Sequence, residues 1–128
     1  MALTISVITA VFNRAGTIVQ ALASVQTQTW ERVEHIVIDG GSTDGTLELL
    51  EVQRNRLAVL VSERDNGIYD ALNKGLGRAS GDVLGLMHSD DFYADERVLE
   101  RVARAFADPA VDGVYGDLDY VAKEDPSR

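Results

Sequence analysis

Four short apolar runs punctuate the chain, LTISVIT, HIVID, LAVLVSE and DVLGLMH, and between them the apolar positions shift to helical spacing. No other feature constrains the fold as tightly. HIVID carries Ile36, Val37 and Ile38 in succession, a run suited to a strand buried on both faces, as in a parallel sheet. RAGTIVQALASVQTQ places Ile18, Leu22 and Val25 on one helical face, and Leu47 and Leu50 mark a second helix. IYDALNKGLGRA reads as a third helix, expected to fray around Gly75 and Gly77. ADERVLERVARAFA carries Val98, Val102 and Phe106 on one stripe, and VDGVYGD reads as a fifth strand. Strand and helix alternating in this way predict an α/β fold, a mostly parallel sheet with helices on both faces.

The 128 residues suit one domain, 1–128, and 45% apolar content supplies a core for it. A formal charge of −9 argues against nucleic acid and anionic membrane surfaces as general partners. An anionic ligand would therefore need local attraction, for which a divalent cation is the natural candidate. The absence of cysteine excludes disulfides, thiolate zinc sites and cysteine nucleophiles. Two histidines without ligand spacing make a zinc site improbable. The opening MALTISVITAVF lacks a basic leader and suits a first strand better than a signal peptide. No run reaches the ~18 apolar residues of a membrane span.

In doubly wound sheets the ligand crevice lies beyond the carboxyl ends of the strands. Here those ends are Thr9 to Asn13, Asp39 to Asp44, Glu63 to Gly67 and His88 to Asp91, and each contains an acid or an amide. Asp90 and Asp91 follow an apolar strand directly. In an extended backbone the two would point to opposite sides, so one carboxylate on a metal and its neighbour on a ligand hydroxyl is the functional arrangement. The competing reading is a helix cap or turn, although Asp95 competes for the first turn of the next helix. In VIDGGSTDGT, Asp39 ends a buried strand, the glycines allow a tight turn, and Ser42 or Thr43 could cap the following helix. Neither a Walker loop nor GxGxxG is present. SERDNGIYDALNKG gathers Glu63, Asp65, Asn66 and Asp70 with Arg64 and Lys74 about a glycine, as a binding loop or as a solvated one. His35 reads as structural, and Trp30 and Tyr69 suit either core packing or stacking on a ligand. No G-x-S-x-G elbow supports a serine triad.

Together ISVITAVFNR, QTQTWERVEHIVIDGGSTDGT, SERDNGIYDALNKG, GDVLGLMHSDDFYADERVL and VYGD resemble, in order, the inverting family 2 glycosyltransferases, whose catalytic domain has the Rossmann-like GT-A fold. The resemblance implies a nucleotide-contacting segment at Ala10, Val11, Phe12 and Asn13, with Phe12 at the usual aromatic position. It implies that Asp39 lies near the donor base, accepting from an imide or amine. The segment from Asp65 through Gly67 and Asp70 to Asn73 is similar to the loop closing over the donor. Asp90 and Asp91 match the Asp-x-Asp region, Asp91 binding Mn²⁺ or Mg²⁺ and Asp90 contacting ribose or sugar. The implied substrates are a nucleotide-diphospho-sugar, a UDP-sugar being favoured, and a saccharide or lipid-linked acceptor. The implied setting is surface polysaccharide biosynthesis, cytoplasmic and peripheral at the inner face of the membrane.

Three positions depart from the commoner family pattern: Gly40 follows Asp39 where a second acid is usual, Leu72 replaces an arginine, and His88 replaces the first acid of Asp-Ser-Asp-Asp. The family's acceptor-binding half, with its catalytic base, follows the fifth strand. The chain is therefore expected to be the donor-binding part, truncated before that half. The base is expected beyond Arg128, which leaves these residues without a catalytic group of their own. Glu124 and Asp125, in the polar tail that ends at Arg128, are poor candidates for it. Two other classes remain at this level. A nucleotidyltransferase would want a glycine-rich basic loop where FNRAGT stands, and a receiver-like interaction module an acid pair after the first strand. An open sheet edge near Val111 to Tyr115 is also expected to favour self-association.

Overall fold

The computed structural model describes residues 3–89, 92–108, 113–114 and 120–122. Four parallel strands form its centre: β1 (Ile5–Val11), β2 (Val33–Asp39), β3 (Val59–Ser62) and β4 (Val83–Leu86). Four helices connect or follow them: α1 (Ile18–Gln26), α2 (Thr46–Val52), α3 (Ile68–Arg78) and α4 (Val98–Phe106). Two short strands, β5 (Gly113–Val114) and β6 (Tyr120–Ala122), complete the sheet order β3-β2-β1-β4-β6-β5.

The α/β reading therefore holds, with a sheet that is mostly parallel. The alternation of side chains along β1 explains why both faces need helices. Ile5, Val7 and Val11 face α1, α2 and α4, whereas Ile8 faces α3 and packs with Ile36, Ile38 and Ala71. VDGVYGD does supply a strand, but β5 does not extend the parallel set. It pairs antiparallel with β6, and β6 pairs antiparallel with β4. β5 is also the outer strand, so the expected self-association segment falls at a sheet edge, with residues 111, 112 and 115 outside the described residues.

Helix α3 does not fray. It runs through both glycines, because Gly75 is buried where the helix meets β1. A methyl group added to Gly75 would stand 2.4 Å from Ile8 Cγ2, well inside van der Waals contact. Tertiary packing thus outweighs the poor helix propensity of glycine. The capping expectation for α2 also changes. Ser42 and Thr43 do not cap it; Asp44 accepts from the Thr46 backbone N–H at 3.0 Å and from its hydroxyl, while its other oxygen accepts from the Ala15 N–H. Asp95 does not sit in the first turn of α4, where Glu100 is the acid; it precedes the helix and accepts from the Arg97 N–H at 2.8 Å.

His35 is buried with Nε2 2.9 Å from Thr9 Oγ1, which suits a structural role. The two ambiguous aromatics separate. Trp30 packs against the α1–α4 core and donates to the Leu3 carbonyl, whereas Tyr69 is 77% exposed. Among the described residues no helix is long and apolar enough to cross a membrane.

Candidate functional site

The strand order turns back between β1 and β4: β2 and β3 extend to one side of β1, and the chain then returns to place β4 on the other. At such a switch point the loops leaving the carboxyl ends diverge and leave a crevice. A cleft of about 740 Å³ lies there. Its walls are Ala10, Val11, Phe12 and Arg14 after β1, Gly40 after β2, Arg64, Asp65 and Gly67 after β3, Ile68 and Ala71 of α3, and His88 and Ser89 after β4. The volume suits a ligand of nucleotide size.

Of the residues singled out from sequence, Ala10, Val11, Phe12, Asp65 and Gly67 line this cleft together. Phe12 is 55% exposed and lines the cleft, which leaves ring surface available for stacking. Gly67 stands at φ 111°, a region that glycine enters without strain, and its N–H donates to Asp65 Oδ1 at 3.0 Å. That bond folds the loop back just before α3 begins.

Asn13, Asp39, Asp70 and Asn73 do not form the wall of the cleft. Asn13, at φ 52°, clasps the neighbouring turn: its N–H donates to Ser42 Oγ at 2.9 Å, and its side-chain oxygen accepts from the Thr43 N–H at 2.8 Å. Asp70 accepts from the Asn66 N–H at 3.0 Å, tying the loop to the first turn of α3. Asn73 is exposed one turn further along.

The expectation that the Asp39 carboxylate stands open in the crevice is corrected. Asp39 is fully buried, and four donors of its own neighbourhood converge on it. The Gly41 and Ser42 N–H groups and the Ser62 hydroxyl donate to Oδ2, and the Ser42 hydroxyl donates to Oδ1. The physical reason is the turn itself. A chain leaving a buried strand needs acceptors for its first free N–H groups, and the last side chain of the strand is the nearest carboxylate.

Two guanidinium groups offset the acidity of the chain at this place. Arg14 and Arg64 line the cleft beside His88, and Asp65 is the only acid among its described lining residues. Lys74 stands behind the loop, 3.1 Å from Glu63 and 3.6 Å from Asp70, and its ammonium also reaches the Arg64 carbonyl. The hydrogen bond to Glu63 holds the Lys74 pKa above its ordinary value, with Asp70 adding to the effect. Outside the cleft lining, before α2, the Thr46 hydroxyl, together with the Ala15 and Thr46 N–H groups, holds the Asp44 carboxyl below its usual range. Sequence reasoning named Arg64 only within a candidate loop and passed over Arg14 and Gly40 as site residues. A cation within a strand-end segment of a strongly acidic chain was the available signal for Arg64; nothing in the local sequence marked Gly40.

Asp90 and Asp91, the expected sugar contact and metal ligand, lie outside the described residues. So does Arg128, the position beyond which the catalytic base is expected. Ser89 and His88 carry the chain towards the acid pair from the cleft wall, and the Thr17 hydroxyl holds the Ser89 carbonyl at 2.9 Å. Carboxylate oxygens are the ligand type that Mn²⁺ and Mg²⁺ prefer, so the residue types present suit such an ion. Among the described residues no group of three or more His, Cys, Asp or Glu side chains is gathered for a metal.

Comparison with known proteins places this architecture. The chain is 40% identical over 105 residues to a glycosyltransferase of Mycobacterium tuberculosis, covering 81% of this chain and 40% of that protein. It is 33% identical over 117 residues to a PGL/p-HBAD biosynthesis glycosyltransferase of Mycobacterium bovis, covering 88% of this chain and 46% of the relative. The chain thus spans less than half the length of these curated relatives. Residues 1–349 of Staphylococcus aureus TarS, solved in complex with UDP-GlcNAc, share the fold with a TM-score of 0.79 at 27% identity, covering 87% of this chain and 33% of that one. The mannosyltransferase PcManGT from Pyrobaculum calidifontis, in complex with GDP-Man and Mn²⁺, superposes with a TM-score of 0.87 over 97% of this chain and 46% of its own, at 23% identity. These neighbours have the GT-A fold expected from the ordered motifs. The family model described as glycosyl transferase family 2 matches residues 6–128, and the chain belongs to that family.

Proposed function

We propose that the cleft binds the nucleotide-diphospho-sugar donor of an inverting, metal-dependent glycosyl transfer to a hydroxyl acceptor. The observation that carries this reading is the composition of the cleft: an exposed aromatic ring, two arginines and an acid at the switch point of a parallel sheet. Phe12 offers a face for the base, and Arg14 and Arg64 offer donors to diphosphate oxygens. Asp90 would contact ribose or sugar, and Asp91 would hold Mn²⁺ or Mg²⁺. That ion, when bound, supplies charge neutralisation for the departing nucleoside diphosphate. The acceptor hydroxyl attacks the anomeric carbon as the bond to the diphosphate oxygen breaks, and its proton passes to a base.

That base we place beyond Arg128, so residues 1–128 alone bind donor without transferring sugar. TarS, with UDP-GlcNAc, and PcManGT, with GDP-Man, support the donor class. The PGL/p-HBAD biosynthesis relative supports a biosynthetic glycosyl transfer; a saccharide or lipid-linked acceptor, and a place in surface polysaccharide assembly at the cytoplasmic face of the membrane, are part of the same proposal. Self-association through the β5 edge belongs to the same proposal.

Calorimetric titration with UDP, GDP and dTDP, each with and without Mn²⁺, tests it. One nucleotide should bind more tightly with the metal, and Asp91→Ala should remove the metal-dependent part while leaving the fold intact. Unchanged binding in that variant would refute the metal assignment, and no binding of any nucleotide by the wild-type protein would refute the donor assignment.

A further inference from the structure

Two carboxylates approach the end of β2, and only one of them is available to a ligand. Asp39 accepts four hydrogen bonds from Gly41, Ser42 and Ser62, and a carboxylate has about four lone-pair sites. It is also fully buried. To accept from a ligand it would have to release the turn it holds. Asp65 is differently placed. Its Oδ1 takes the Gly67 N–H, while Oδ2 accepts no hydrogen bond from the described residues.

The position of Asp65 depends on Gly40. A methyl group added to Gly40 would lie 2.7 Å from Asp65 Oδ2 and 3.1 Å from its Cγ. The carboxylate therefore occupies the space that a side chain at position 40 would fill. Gly40 in turn donates its N–H to the Val11 carbonyl at 2.9 Å, which seats it beside the strand end that carries Phe12. Phe12, Gly40 and Asp65 all line the cleft. An exposed ring and a carboxylate oxygen with spare capacity thus flank one end of it, on the side away from the segment that leads to Asp90 and Asp91.

We infer that Asp65, not Asp39, is the carboxylate that reads the donor's nucleobase, accepting from its imide or lactam ring N–H while the base stacks on Phe12. Gly40 is the positioning residue that seats this carboxylate, and Asp39 acts through the turn alone. The absent second acid after Asp39 is supplied in space from the β3–α3 loop. This inference rests on the reading of the cleft as a nucleoside diphosphate site. It adds a specificity: bases with a ring N–H at that edge (uracil, thymine, guanine) are accepted, and cytosine, which presents a lone pair there, is not.

The test is calorimetry on the intact protein with Mn²⁺, using UDP, dTDP and GDP against CDP. Wild-type protein should prefer one of the first three over CDP. Asp65→Ala should weaken the preferred nucleotide about tenfold, the scale of one hydrogen bond to a charged group, and bring its ratio to CDP towards one. Gly40→Ala should do the same by displacing the carboxylate. The Gly40→Ala/Asp65→Ala pair should bind no worse than Asp65→Ala, because the clash is gone. Asp39→Asn should lower thermal stability yet keep the preference over CDP. A preference unchanged in Asp65→Ala, or lost in a folded Asp39→Asn, overturns the inference while the donor reading stands. Wild-type protein that binds no nucleotide overturns both.

Discussion

Mild acid should destabilise this protein through one buried imidazole. His35 lies under α1 with Nε2 against the Thr9 hydroxyl, and its Nδ1 is buried without a hydrogen-bond partner. Protonation would make both ring nitrogens donors and leave one of them stranded away from water. Burial accordingly pushes the pKa down from 6.5 to about 4. An unfolded chain takes up the proton first, so stability rises with pH between those two values. The contribution is intact above about pH 6.5, is lost progressively as the pH falls, and is fully gone near pH 4. A shift of that size is worth roughly 3 kcal/mol in all, of which about 2 kcal/mol is lost between pH 7 and pH 5. The depressed carboxylates Asp44, Asp95 and Glu100 act in the same direction at lower pH, their stabilisation falling away only below about pH 5. Urea denaturation followed through Trp30, the single tryptophan, at pH 7, 6 and 5 would read the effect. His35→Gln keeps a polar group towards Thr9 and cannot titrate, so its stability should be lower at pH 7 and nearly flat to pH 5. Equal slopes in the wild-type and variant proteins would show that His35 does not carry a desolvated, neutral ring.

Two further substitutions probe the fold that holds the cleft. Gly75→Ala should cost roughly 1–3 kcal/mol through the clash with Ile8, despite the gain in helix propensity. Gly77→Ala, two residues along the same helix with nothing within 4 Å of the added methyl, should stabilise by up to about 1 kcal/mol. Opposite signs in urea denaturation are expected, and equal effects would refute the close-packing account of Gly75. Asp39→Ala leaves two N–H groups and two hydroxyls without their acceptor and should cost roughly 3 kcal/mol, measured by the same method. A loss below about 1 kcal/mol would mean that the turn does not depend on Asp39.

The parallel core was legible because its signal is local and repeated. Ile36 to Ile38 can be buried on both faces only inside a sheet, and Ile18, Leu22 and Val25 share one helical face in any context. The misreadings of Gly75 and of the last strands concern contacts between distant segments. Gly75 looked like a weak point in α3 because propensity is counted along the helix, whereas Ile8 of β1 decides whether a side chain fits there. β6 escaped notice because three residues, Tyr120–Ala122, carry no period, and their pairing with Val83 to Gly85 is antiparallel across a long connection. Ser42 and Asp44 are both good caps by residue type. The backbone path chose Asp44 for Thr46 and turned Ser42 back onto Asp39.

The same reasoning explains why a motif departure such as Asp39-Gly40 is hard to interpret one position at a time. In sequence, glycine after the acid looks like the loss of a carboxylate from the donor site. In three dimensions Asp65 occupies the space that a side chain at position 40 would have taken, so an acid still stands at that end of the cleft. Asp39 is then free to serve the turn, with Ser62, its register partner on β3, as one of the donors. Gly40 and Asp65 should therefore respond to mutation as one unit. An acid introduced at position 40 must displace the Asp65 carboxylate from the place it holds beside the strand end.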